Sequence, residues 1–98
     1  MELSEVENIM VKGYLNRITL SWDAVKDATG YRVYLYEKGT KKCSKIASVK
    51  GKTTYTVKNL EENNVYKFAI QPYYKDSKGN VVFGEKTDIS AMTLASKS

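Results

Sequence analysis

Along most of this chain apolar and polar residues alternate one by one. "RITLSW" sets Ile18, Leu20 and Trp22 on one side and Arg17, Thr19 and Ser21 on the other. Such a period of two is the mark of a half-buried strand, because successive strand residues point to opposite faces. The same pattern returns in "YRVYLY" (31–36), "CSKIASV" (43–49), "TTYTVKNL" (53–60), "VYKFAIQPYY" (65–74) and "TDISAMTL" (87–94). A run over 6–11 completes seven. Between the runs stand Gly13, "DAVKDATG", Gly39, Gly51, "EENN" and "DSKG", residues that favour turns. Helical periodicity is hard to find. Seven short β-branched and aromatic runs at this spacing predict an all-β, seven-stranded antiparallel sandwich.

Two local features refine the expectation. "DSKGN" (76–80) fits a type I turn with Asp at its first position and Gly at its fourth, so 65–74 should return through a hairpin into "NVVF". Pro72 cannot donate to a sheet ladder, and a bulge or the end of regular pairing is expected there.

"LSWDAVKDATGYRVYLY" resembles the fibronectin type III family: a strand ending in Trp22, a loop closing on Ala-Thr-Gly, then Tyr31 and Val33. "TTYTVKNLEENNVYKFAIQPYY" looks like that family's fifth and sixth strands, and "FGEKTDISAMT" like its last, with Thr87 where Ser is more usual. The resemblance runs from about Val6 to Thr93. It implies an immunoglobulin-like sandwich with sheets A-B-E and C′-C-F-G, flanked by linker residues at 1–5 and 95–98, the domain itself spanning 6–94. It also places Tyr66 as the family's tyrosine corner, reaching back to backbone near Leu60. Asn63 and Asn64 stand where the family usually has Pro or Gly, and Asn tolerates a left-handed backbone. The lysine-rich style and the hairpin "KDSKGNVVFG" resemble modules of Gram-positive extracellular proteins, which implies a bacterial secreted or cell-surface parent.

Alternation assigns Trp22, Tyr31, Val33, Leu35, Leu60, Tyr66, Phe68 and Ile70 to the core. Burying such side chains stabilises by about 1.5–3 kcal/mol each, which suits a core better than a binding site. The opposite register carries Arg32, Tyr34 and Tyr36, and Lys67, Ala69, Gln71 and Tyr73. C and F are neighbours in the family's sheet, so these residues would share a solvent face. Tyrosines beside Gln and Arg could stack on sugar rings or anchor a protein partner. They also suit cross-strand pairing without any ligand, at about 0.2–1 kcal/mol a pair. A contiguous exposed patch would favour binding; tyrosines packed under Lys and Arg stems would favour a structural role.

Charge adds a second candidate. Between Lys38 and Lys58 the chain has seven lysines and no acid. Lys38, Lys41, Lys42, Lys45, Lys50 and Lys52 could hold an anionic cell-wall polymer by screened attraction. The same lysines would protect an exposed sheet edge from pairing with another chain. Nucleic acid is not expected, since the stretch lacks arginine forks and has a single aromatic, Tyr55. The formal net charge of +5 favours anionic partners only weakly.

The remaining composition mostly excludes. With no histidine, the commonest general base and metal ligand are missing. Cys43 is the sole cysteine, so no internal disulfide forms. Its lysine neighbours could lower its pKa, although a buried structural cysteine is the commoner case. Glu61 and Glu62 are adjacent in a turn, and the separated aspartates have no metal-loop spacing. No Arg-Gly-Asp is present, and no apolar run reaches the length of a membrane helix. The expectation is a non-catalytic accessory module with no cofactor or metal, monomeric by itself, that spaces or presents neighbouring domains. Binding of polysaccharide or a protein through the tyrosine face is the alternative.

Overall fold

β-Branched and aromatic residues stiffen the alternating runs, and glycine, asparagine and aspartate turn the chain between them. The computed structural model describes residues 3–95; the expected linker residues 1–2 and 96–98 lie outside these. Eight strands follow in order: β1 (Met10–Gly13), β2 (Ile18–Ser21), β3 (Gly30–Tyr36), β4 (Cys43–Lys50), β5 (Thr54–Val57), β6 (Val65–Lys75), β7 (Val81–Phe83) and β8 (Thr87–Met92). One antiparallel sheet runs β1-β2-β5, and the other β4-β3-β6, with both β7 and β8 on the far edge of β6. This is the expected sandwich. Its seventh strand is split in two, since residues 84–86, between β7 and β8, belong to neither strand.

The core lies between the sheets. Ile18, Leu20, Val33, Phe68 and Ile70 are fully buried, and Val6, Trp22, Val25, Tyr31, Val57, Leu60 and Ala91 close around them. Trp22 and Tyr31 meet edge to face, ring centroids 5.4 Å apart. Leu35 and Tyr66 are only half-buried at the rim of this core. Tyr66 is held there by its hydroxyl, which accepts from the Glu61 amide at 2.8 Å, one residue past Leu60. Beside it, Thr93 is 2% exposed; its Oγ1 donates to the Glu61 carbonyl and accepts from the Asn64 amide. Asn63 takes the left-handed backbone expected of the turn, at φ 54°.

Three departures from the sequence pattern have physical reasons. Pairing in the first strand begins at Met10 rather than near Val6, because Asn8 at φ 56° breaks the extended line. Val6 still reaches the core. At Pro72 pairing ends on one side only: β3 pairs straight through it, whereas β8 stops opposite Ile70 and β7 begins opposite Tyr73. A residue without an amide hydrogen thus falls in the gap between two partners, where no ladder bond is asked of it. The register of β3 on β4 slips after Val33, leaving Ile46 as an extra residue that twists the edge. The expected turn forms, with the Gly79 amide on the Asp76 carbonyl and the Asp76 carboxylate accepting from the Lys78 and Asn80 amides. Those amides, Asn80 first, hold the Asp76 carboxyl below the usual carboxylate range.

The ends of the body face opposite ways. Leu3 lies against Gly84 at the pole of the β6–β7 hairpin. Leu94 bonds Tyr14 and Asn63 at the other pole. The molecule measures 54 × 24 × 19 Å. No helix among the described residues is long and apolar enough to cross a membrane.

Candidate functional site

The strand register sets Arg32 opposite Gln71, Tyr34 opposite Ala69 and Gly30 opposite Tyr73. Because alternate residues share a face, Arg32, Tyr34, Tyr36, Lys67, Gln71 and Tyr73 all stand on the outer side of the larger sheet. The structure therefore gathers the residues that alternation grouped. It also adds three that the sequence reading did not group with them: Phe83 of β7, Asp88 of β8 and Lys86 between them. The signal for Asp88 was its parity in "TDISAM", which turns it outward opposite Ala69.

These side chains satisfy one another. The Tyr34 hydroxyl donates to Gln71 Oε1 at 2.8 Å, and Gln71 Nε2 donates to the Gly84 carbonyl at 2.9 Å. Tyr36 donates to Asp88 Oδ1 at 2.7 Å, while Lys67 Nζ lies 3.6 Å from Asp88 Oδ2. This donation to a carboxylate pushes the Tyr36 phenol up to about 12. A cation covers a face of each ring: Lys86 lies 4.3 Å from the centroid of Tyr34, and Lys67 4.7 Å from that of Tyr36. Arg32 sits 4.5 Å over Phe83, which packs at 6.4 Å against Tyr73. Ala69 points outward yet is fully buried, so the layer above it is closed.

Both phenolic donors of Tyr34 and Tyr36 are engaged, and the ring faces that would stack on a sugar carry lysines. The three tyrosines are half-buried rather than open. Among the described residues, no group of three or more His, Cys, Asp or Glu side chains comes close enough to hold a metal ion. Cys43 is a free, half-buried thiol with Lys86 Nζ 3.7 Å from its sulfur.

The six lysines do not gather into one site. Lys41 and Lys42 lie in the turn before β4, Lys45 and Lys50 on β4, and Lys52 in the turn after it. Lys38 bonds Asn64 Oδ1 and lies 5.5 Å from the Tyr66 ring. An eight-residue strand spans roughly 26 Å, beyond the screening length of about 8–10 Å in physiological salt. Lysines at its two ends therefore act independently. β4 is the edge of its sheet, where lysines and a bulge hinder pairing with another chain.

Two antiparallel sheets, a tryptophan at the end of β2 and a tyrosine corner at the start of β6 define an immunoglobulin-like β-sandwich module. The sequence model of the fibronectin type III domain matches residues 4–85, and the chain belongs to that family. Among solved structures, the one described as FN3tt mut is 27% identical, with a TM-score of 0.76 over 96% of this chain and 99% of its own. The fn3 domain of the human collagen alpha-1(XX) chain is 20% identical, with a TM-score of 0.78 over 100% of this chain and 91% of its own. The chicken CNTN1 FN1-FN3 domains align at 20% identity and a TM-score of 0.74, covering 93% of this chain and 32% of theirs. No curated protein matches the chain. Fibronectin type III domains are common modules of multidomain proteins and are generally non-catalytic.

Proposed function

We propose that this domain is a non-catalytic spacer in a larger secreted or cell-surface bacterial protein, holding its neighbours at a set distance and orientation. The observation that carries this reading is the placement of the two described ends at opposite poles of a 54 Å body. A chain that enters at one pole and leaves at the other converts a folded domain into a strut. The outer face supports the same reading, since Tyr34 and Tyr36 bond to Gln71 and Asp88 and lie under lysines. Edge protection is the corresponding role of the β4 lysines.

Exchange within the parent protein tests this. Replacing the domain by an unrelated fibronectin type III domain of equal length should preserve the parent's activity, and a Gly/Ser linker of equal residue number should not. Alanine at Tyr34, Tyr36 and Tyr73 should then matter only through stability. If the unrelated domain fails, and a glycan or protein ligand shifts the NMR signals of those tyrosines, the domain is a binding module instead.

A further inference from the structure

The two poles carry clefts of opposite charge, and neither enters the spacer reading. At the Leu94 pole a groove of about 960 Å3 is lined by Tyr14, Leu15, Arg17, Lys58, Asn59 and Leu94, among others, with no acid among the described residues of its lining. Leu15 and Leu94 are 42% and 53% exposed within it. Arg17 lies 4.2 Å over the Tyr14 ring, which fixes its charge at the rim. Glu61 and Glu62 of the nearby turn do not line the groove. At the opposite pole a cleft of about 240 Å3 is lined by Glu5, Glu7 and Asp23, with Lys26 as the one cation among the described residues of its lining. Asn8 Nδ2 donates to Asp23. Among the described residues the single ion pair is Lys67–Asp88, so Glu5, Glu7, Arg17 and Lys58 have no ionic partner there.

We infer that the groove at the Leu94 pole docks the Glu5–Glu7 pole of a second copy of this domain, head to tail along the long axis. The inference rests on the spacer reading and names the contact that would set the angle between successive units. Each copy offers a cationic, partly apolar socket and an acidic tip, so the contact is heterologous and repeats without closing. The net charge of +5 repels free copies, which keeps the isolated domain monomeric at ordinary concentration. A unit joined after Leu94 leaves from the groove itself, and such tethering supplies an effective concentration of about millimolar.

Dilution of the isolated domain from about 2 mM to about 0.05 mM, followed by NMR, reads the contact at that strength. Signals near Glu5, Glu7 and Asp23 should move together with those of Tyr14, Arg17 and Lys58. Arg17→Glu with Lys58→Glu, or Glu5→Lys with Glu7→Lys, should each weaken association about tenfold or more by replacing attraction with repulsion. Mixing the two variants should restore it. All four positions are exposed, so folding is not at risk. Movement at neither pole or at one pole only, or a mixture that stays apart, overturns the docking. None of those results touches the spacer reading, which stands or falls on the domain exchange in the parent.

Discussion

The Tyr31 hydroxyl accepts a hydrogen bond from the Val25 amide at 2.7 Å, with both residues buried. Tyr31→Phe removes that oxygen and keeps the ring, including its edge-to-face contact with Trp22. The Val25 amide is then left in the interior without a partner. Stranding a buried donor costs about 1–3 kcal/mol, more than the 0.5–1.5 kcal/mol of a typical net hydrogen bond. For a domain of this size each 1 kcal/mol lowers Tm by about 4–8 °C, so a fall of about 4–24 °C is expected. Trp22 is the single tryptophan and touches Tyr31, so its fluorescence reports unfolding in guanidinium. The midpoint should drop with an unchanged slope, since the same surface is exposed. Tyr34→Phe is the comparison, because its bond to Gln71 is only half-buried and water can replace it. A loss below about 0.5 kcal/mol for Tyr31→Phe, or an equal loss for Tyr34→Phe, would refute the assignment of these tyrosines to different roles.

Gly30→Ala should cost about 1–3 kcal/mol, because its Cβ would collide with the Val49 carbonyl oxygen and stand 2.8 Å from the Tyr73 hydroxyl. An unchanged denaturation midpoint with an unmoved Tyr73 ring signal would show that the contact is not tight. For Tyr36 the folded pKa is raised from 10.0 to about 12. The bond to Asp88 favours the neutral phenol, so its contribution is full below about pH 10 and is lost as pH rises through about 12. Ultraviolet tyrosinate titration should show a late phenol that Asp88→Asn brings back toward 10.0; a titration curve that Asp88→Asn leaves unchanged would contradict it.

Much of this architecture was legible in the chain. Period-two alternation assigned Val33, Phe68 and Ile70 to the core and Arg32, Tyr34 and Gln71 to the opposite face, because a strand's side chains have no third direction. The same rule shows why strand ends were less legible. Asn8 breaks pairing by a left-handed backbone that composition does not display, and residues 84–86 interrupt the last strand. Thr93 was not legible either: a threonine near the end of a strand gives no sign that two backbone groups of a distant turn will converge on its hydroxyl.

The sequence by itself determined the sandwich, its core face and the outward grouping of the tyrosines. Each of these depends on positions a few residues apart in one strand. Only the tertiary structure decided what those tyrosines touch. Their partners Asp88, Lys86 and Phe83 come from the two short strands beside β6 and the link between them, and which lysine covers which ring depends on registers between strands. Tyr36 and Asp88 lie 52 residues apart in sequence and 2.7 Å apart in space. A side chain's availability for a ligand depends on the contacts it already makes, and those exist only once the sheet has assembled.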